Sequence, residues 1–212
     1  MEDSLRFFED IIQRATEAEL HEDKEVIENG TQVSEGNVKA VYPGLRREMV
    51  QPMQMTEELQ NVFLDLYNNP RVVNTWGYSD GDQSIIKKEF IDDNFHSVMY
   101  GKGLDHVIEE TVNVFESIAE DGYVYRDLKP DNIRFLNNYG IAVDYLDKHA
   151  VEPKKGKDMK MAAAKSYDLF ITELTESVPD LEAEEIQQKV DKYSQHVNAD
   201  EYTGDPFIDF GF

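Results

Sequence analysis

The chain has 212 residues, enough for one domain of two small lobes, and 44 acidic against 21 basic residues leave it a net charge of −23. That field repels nucleic acid and suits a protein that meets basic partners. There is no cysteine for disulfide or thiol chemistry, no apolar run long enough for a membrane span, and no histidine pair at zinc-ligand spacing, and a signal peptide is not expected.

In chain order, residues 1–30 carry ten acids and three bases, and Leu5, Phe8, Ile12 and Ala15 recur at helical spacing. This reads as an acidic N-terminal helix, either packed on the domain or docking a partner. A strand-like run with one glycine follows, Glu35-Gly36-Asn37-Val38-Lys39-Ala40-Val41-Tyr42, and then Leu45 to Pro52, which has no lysine. Met55 to Tyr67 predicts a helix: Thr56 caps it, its first turn is acidic, and Leu59, Val62, Phe63 and Leu66 form one apolar face. Asn69-Pro70-Arg71-Val72-Val73 turns the chain into a strand, and Ser84 to Asp93 reads as a strand and its exit. Leu104 to Ala119 predicts another helix, with Val107, Ile108, Val112, Phe115 and Ile118 on its apolar face.

Past Asp121-Gly122 comes Tyr123-Val124-Tyr125-Arg126-Asp127-Leu128-Lys129-Pro130-Asp131-Asn132-Ile133. Seventeen residues after Asp127, the run Gly140-Ile141-Ala142-Val143-Asp144 reads as a short buried strand ending in Asp144, followed by Tyr145-Leu146. Val151 to Lys165 is a basic stretch, with five lysines and two acids in an acidic chain. It reads either as a solvated loop or as an attractor of acidic substrate. Two further helices are expected, one that starts over Lys165 to Leu174 and one from about Leu181 to His196. The chain ends in an acidic, aromatic tail over 197–212, punctuated by Gly204 and Pro206 and including Phe207-Ile208-Asp209-Phe210.

The eleven residues from Tyr123 to Ile133 resemble the catalytic loop of eukaryotic-type protein kinases, in the form with Tyr where His is usual. The resemblance implies an α+β, two-lobed protein-kinase-like fold. A small antiparallel-sheet N-lobe would cover about 31–91, and a reduced helical C-lobe about 92–196. It also implies roles. Asp127 is the catalytic base, Lys129 steadies the transferring phosphoryl group, Arg126 positions the loop, and Asn132 with Asp144 holds Mg²⁺. The usual Asp-Phe-Gly becomes Asp144-Tyr145-Leu146, and the lost glycine argues against any flip of that segment.

The run from Gly36 to Tyr42 resembles the second half of a kinase glycine-rich loop. Gly36 would approach the phosphates of ATP and Val41 would cover the adenine. Backbone groups of Glu89 and Ile91 would bind its edge. The lysine expected on the next strand is missing, and Gln51 falls near its place. Lys39 occupies the glycine-loop position that carries the lysine in the with-no-lysine kinases, so it is the expected phosphate-pairing cation; the alternatives are a solvated strand lysine in an inactive kinase, or Arg46 or Arg47 standing in. Its glutamate partner would be Glu58, with Gln60 the ungapped alternative. In the family an aspartate of the large C-lobe helix anchors the catalytic loop, which makes Asp168 the expected anchor.

The later C-lobe helices and the Ala-Pro-Glu motif have no counterpart in the sequence, as in the minimal kinases of bacterial effectors and viruses. Between Asp144 and Ser166 the only hydroxyl residue is Tyr145, so control by loop phosphorylation is not expected. The expectation is an ATP- and Mg²⁺-dependent Ser/Thr protein kinase of the cytoplasm, its own or a host's. It would act on a protein substrate, constitutively or with an activating or docking partner, and would bind neither nucleic acid nor membrane. The phenylalanine-rich tail would dock on the protein itself, dock on a partner, or fray. The alternatives are a pseudokinase that scaffolds or inhibits through its acidic surface and, on charge alone, a nucleic-acid mimic.

Overall fold

A computed structural model describes the backbone over residues 34–35, 40–43, 48–80, 83–146, 150–153 and 159–194. The acidic segment 1–30, Gly36, Lys39 and the tail over 197–212 lie outside the described residues. The architecture is mixed α+β, with five helices and small antiparallel sheets among the described residues. The chain divides into two units. One runs up to Gln60 and resumes over Val73–Phe90; the other holds Asn61–Val72 and the chain from Ile91 onward.

The first unit is built on a five-stranded sheet. Its strands are β1 (Ser34–Glu35), β2 (Ala40–Pro43), β3 (Glu48–Met53), β4 (Thr75–Asp80) and β5 (Gln83–Glu89), in the order β1-β2-β3-β5-β4. β1 and β2 pair with Ser34 opposite Val41 and Glu35 opposite Ala40. The two strands that flank Gly36 and Lys39 in the sequence are thus antiparallel partners. β3 and β5 are central, and Val50, Gln51, Ile85, Ile86, Lys87 and Lys88 are all buried, so both faces of these strands are covered.

Helix α1 spans Glu57–Leu66. Thr56 caps it as expected: its Oγ1 accepts from the Leu59 N–H at 3.3 Å. Leu59, Val62 and Leu66 are buried, in line with the apolar face read from the sequence, while Phe63 is only half-buried.

The second unit centres on α3 (Leu104–Glu120), preceded by α2 (Phe95–Lys102). Val107, Ile108, Val112, Val114, Phe115 and Ile118 of α3 are fully buried. Three short strands pair in the order β6 (Asp93–Asn94), β8 (Ile133–Leu136), β9 (Tyr139–Ala142). The β8–β9 hairpin turns through Asn137 and Asn138, both at positive φ, the conformation that a two-residue turn between twisted strands requires and that asparagine tolerates. β7 (Tyr123–Tyr125) pairs with β10 (Val151–Pro153). Helices α4 (Met159–Ser177) and α5 (Ala183–Tyr193) follow.

A polar network fixes the turn after α1 to α3. Asn69 Nδ2 donates to the Ser117 carbonyl at 3.1 Å and to the Asp121 carboxylate at 2.6 Å, while its Oδ1 accepts from the Arg71 N–H at 2.8 Å. The Arg71 guanidinium pairs with Glu110, which is buried on α3 and also accepts from the Gly140 N–H at 2.8 Å. Gly140 must be glycine for this contact, because a Cβ there would stand 2.8 Å from the Glu110 carbonyl oxygen. No helix of the described residues is long and apolar enough to cross a membrane.

Three element boundaries differ from the sequence reading. The strand expected to end at Asp144 stops at Ala142, because the Val143 N–H leaves the ladder and donates to the Asn132 carbonyl at 3.0 Å. α4 begins at Met159 rather than near Lys165, since Met159-Lys160-Met161-Ala162-Ala163-Ala164 are all strong helix formers. α5 covers Ala183–Tyr193 rather than 181–196, and residues from 195 on lie outside the described set.

Candidate functional site

The candidate site forms where β7 gives way to residues 126–132. Side chains alternate inward and outward along this stretch. Tyr125, Leu128, Pro130 and Asn132 are buried, Arg126 and Asp131 are exposed, and Asp127 and Lys129 lie half-buried at the rim. Apolar insertion thus fixes the backbone and holds the two charged side chains at the surface.

Pro130 opens a single 3-10 turn over Pro130–Asn132, where its fixed φ suits the first position and its missing N–H costs nothing. The Lys129 N–H donates to the Asp127 carbonyl at 3.0 Å, and the Asn132 N–H to the Lys129 carbonyl at 3.0 Å. From outside, the Ala150 carbonyl accepts from the N–H groups of Arg126, at 2.7 Å, and Asp127, at 3.4 Å.

The side chains converge on Asp127. Asn132 Nδ2 donates to Asp127 Oδ2 at 2.7 Å and to the Asp127 carbonyl at 2.9 Å. Lys129 Nζ stands 3.3 Å from Asp127 Oδ1. Both members of that ion pair are about one-third exposed, with side-chain exposures of 36% and 32%, and such a pair contributes only about 0–1 kcal/mol to stability. Its effect is on geometry: it fixes where the carboxylate and the ammonium stand.

Asp144 approaches from the segment after β9. The Tyr125 hydroxyl faces its carbonyl at 3.4 Å. Burial first, and then the negative charges of Asp144 and Asp127, hold the Tyr125 phenol well above its ordinary range, which puts both carboxylates in the neighbourhood of one buried hydroxyl. The Val143–Asn132 backbone bond ties the two segments together one residue before Asp144. Tyr145 and Leu146 are buried to within 1% exposure, so the segment is clamped on both sides of Asp144.

Asn132 commits its amide nitrogen to Asp127, so its Oδ1 is the atom it could offer a cation, as Asp144 could offer its carboxylate. Oxygen donors of this kind fit a hard divalent cation such as Mg²⁺, which takes one or two protein ligands and completes its shell with water and phosphate. Among the described residues no group of three or more His, Cys, Asp or Glu could hold a metal ion.

The anchor of the loop is not the residue expected. Asp168 is exposed on α4, and desolvation alone raises its carboxyl pKa. Its neighbour Ser166, 3% exposed, donates from Oγ to the Tyr125 carbonyl at 2.8 Å and so holds the end of β7. The sequence carries a signal for this: Ala163, Ser166, Tyr167, Phe170 and Leu174 recur at helical spacing and are all buried, which turns Ser166 inward and Asp168 outward. A second residue absent from the sequence reading is Asp65 of α1, whose carboxylate accepts from the Tyr123 hydroxyl at 2.5 Å.

The remaining expected residues are not brought to this loop by any described contact. Lys39 and Gly36 lie outside the described residues, and Val41 is described only as a member of β2. Glu58 and its alternative Gln60 are exposed on α1. Glu89 ends β5, where its N–H donates to the Asn74 carbonyl at 3.0 Å and its carboxylate accepts from Asn74 Nδ2 at 2.9 Å. Ile91 is buried.

No protein-family model matches the chain, and no curated protein matches it significantly.

Proposed function

We propose that the chain is a minimal, two-lobed protein kinase that transfers the γ-phosphoryl group of ATP to a protein hydroxyl, of Ser/Thr type. The observation that carries this reading is the hold on Asp127. One carboxylate oxygen accepts from Asn132, the other faces the Lys129 ammonium, and the backbone is fixed by Ala150 and Ser166. A carboxylate held in this way can take the proton of an incoming hydroxyl.

In this reading Asp127 orients the acceptor hydroxyl and receives its proton. Lys129, two residues on, meets the negative charge of the phosphoryl group in flight. Arg126 positions the loop. Asn132 Oδ1 and the Asp144 carboxylate hold Mg²⁺, which when bound neutralises the charge of the phosphates. Burial of Tyr145 removes the one hydroxyl of the segment from kinase access, which supports activity without loop phosphorylation. The nucleotide base is assigned to the backbone of Glu89 and Ile91, under Val41 and Gly36. Lys39 pairs with the phosphates, and Glu58 is its partner.

The test is transfer of label from γ-labelled ATP, with Mg²⁺, to a generic basic protein. Transfer by the wild type that disappears in Asp127→Ala and in Asp144→Ala supports the reading. Nucleotide binding without transfer by the wild type would instead support a scaffolding pseudokinase.

A further inference from the structure

Helix α3 carries a buried carboxylate that the proposed chemistry has not used. Glu110 is 8% exposed, and its partner Arg71 lies in the turn after α1. A buried ion pair is weak evidence for stability, so this one invites a second role. Three donors meet on the carboxylate. Oε2 accepts from the Arg71 guanidinium and from the Gly140 N–H at 2.8 Å, and Oε1 accepts from Asn113 Nδ2 at 3.2 Å.

The pair lies along β9, which stands at the edge of its sheet beside β8. In an antiparallel edge strand every second N–H points away from the neighbouring strand. In β9 these belong to Gly140 and Ala142. The Gly140 N–H goes to Glu110, and the Ala142 N–H donates to the Arg71 carbonyl at 2.8 Å. Arg71 is itself clamped: Asn69 Oδ1 accepts from its N–H at 2.8 Å, and its guanidinium lies 5.2 Å from the centroid of the Tyr139 ring. Arg71 and Glu110 thus stand where a further strand would, and they fix the position of β9 against α3.

On its other side β9 holds the loop. Ala142 pairs with Ile133, and the Val143 N–H donates to the Asn132 carbonyl at 3.0 Å. Asn132 Nδ2 in turn donates to Asp127 Oδ2 at 2.7 Å. A shift of β9 therefore moves the side chain that orients Asp127. Resting on the kinase reading, we infer that Arg71 and Glu110 are positioning residues for phosphoryl transfer: they set β9, β9 sets Asn132, and Asn132 holds Asp127. They act through the strand and not on the reacting atoms.

The test is single-turnover transfer from γ-labelled ATP, with Mg²⁺, to a basic protein, using the full chain at a temperature where every variant is folded. Glu110→Gln takes the charge from Arg71 and is expected to slow transfer about 10- to 100-fold, the loss that a small misplacement brings. A double-mutant cycle separates position from stability. In the Asn132→Ala background Glu110→Gln should slow transfer by less than about twofold, because the residue it acts through is gone. Val190→Ala, a truncation in the core under α5, leaves the rate unchanged. Arg71→Met should slow transfer as Glu110→Gln does, and Arg71→Lys, which keeps a cation for Glu110, should restore most of it. Independent effects of Glu110→Gln and Asn132→Ala, equal rates in Arg71→Met and Arg71→Lys, or equal slowing by Val190→Ala each overturn the inference. If Glu110→Gln does not fold by circular dichroism, the cycle is run with Arg71→Met, and additivity there overturns it. A wild type that transfers no label sinks the kinase reading itself. A Glu110→Gln enzyme that transfers at the wild-type rate sinks only the inference.

Discussion

The loop of the second unit and the sheet of the first use buried polar side chains in opposite ways. Around Asp127 the described polar groups answer one another: Asn132 and Lys129 hold the carboxylate, Ser166 holds the Tyr125 carbonyl, and Val143 holds the Asn132 carbonyl. On β3 the Gln51 amide nitrogen is buried and unanswered. A satisfied network is rigid and ready before any ligand arrives. An unsatisfied buried donor is a cost to the fold. The difference teaches which region is preorganised: the loop that carries Asp127 has its polar groups answered, and the strand that carries Gln51 does not.

The largest effect that would sharpen this contrast is on activity. Asn132→Ala removes both the hydrogen bond that fixes Asp127 and a proposed Mg²⁺ ligand. It is expected to slow phosphoryl transfer about 10²- to 10³-fold and to raise the Mg²⁺ concentration needed, measured by titrating Mg²⁺ in the labelled-ATP assay.

Next comes the framework beneath the loop. Glu110→Ala leaves the Arg71 guanidinium without its carboxylate and the buried Gly140 N–H without its acceptor. Removing one member of such a pair costs about 3–5 kcal/mol, read as a lower urea midpoint with the slope unchanged. A smaller change separates the two candidate anchors on α4. Ser166→Ala strips a buried carbonyl of its donor and should cost about 1–3 kcal/mol in thermal or urea unfolding. Asp168→Ala, on the exposed side, should stay within about 0.5 kcal/mol. The reverse order would return the anchor to Asp168.

The smallest effect is on pH dependence. Burial, and then donation to Asp65, push the Tyr123 phenol up to about 12. Its ordinary value is about 10, so between these values the folded state keeps a proton that the unfolded state has lost. That contribution to stability is complete below about pH 10 and falls as pH rises toward about 12. Tyr123→Phe should flatten this alkaline limb, measured as the urea midpoint across the window.

The same contrast explains how much was legible in the sequence. The loop from Tyr125 to Asn132 is local: its in-out alternation, its proline-led turn and the five-residue step from Asp127 to Asn132 are all written in one run. Helix α1 was legible for the same reason, down to its Thr56 cap. The strand end at Ala142 was not, because the Val143 N–H goes to a residue eleven positions earlier. Ser166 was overlooked in favour of the charged Asp168, although helical spacing turns it inward. The pairing of Gln51 with Ile86 depends on strand register, which pairs residues more than thirty positions apart and which no local pattern declares.

The most direct test of the central claim is Asp127→Asn in a single-turnover assay with γ-labelled ATP, Mg²⁺ and a basic protein acceptor, beside calorimetry of MgATP binding. The proposed role predicts MgATP affinity close to that of the wild type and transfer slower by about 10²- to 10⁴-fold, the usual loss when a general base is removed. Transfer at the wild-type rate in Asp127→Asn would contradict it.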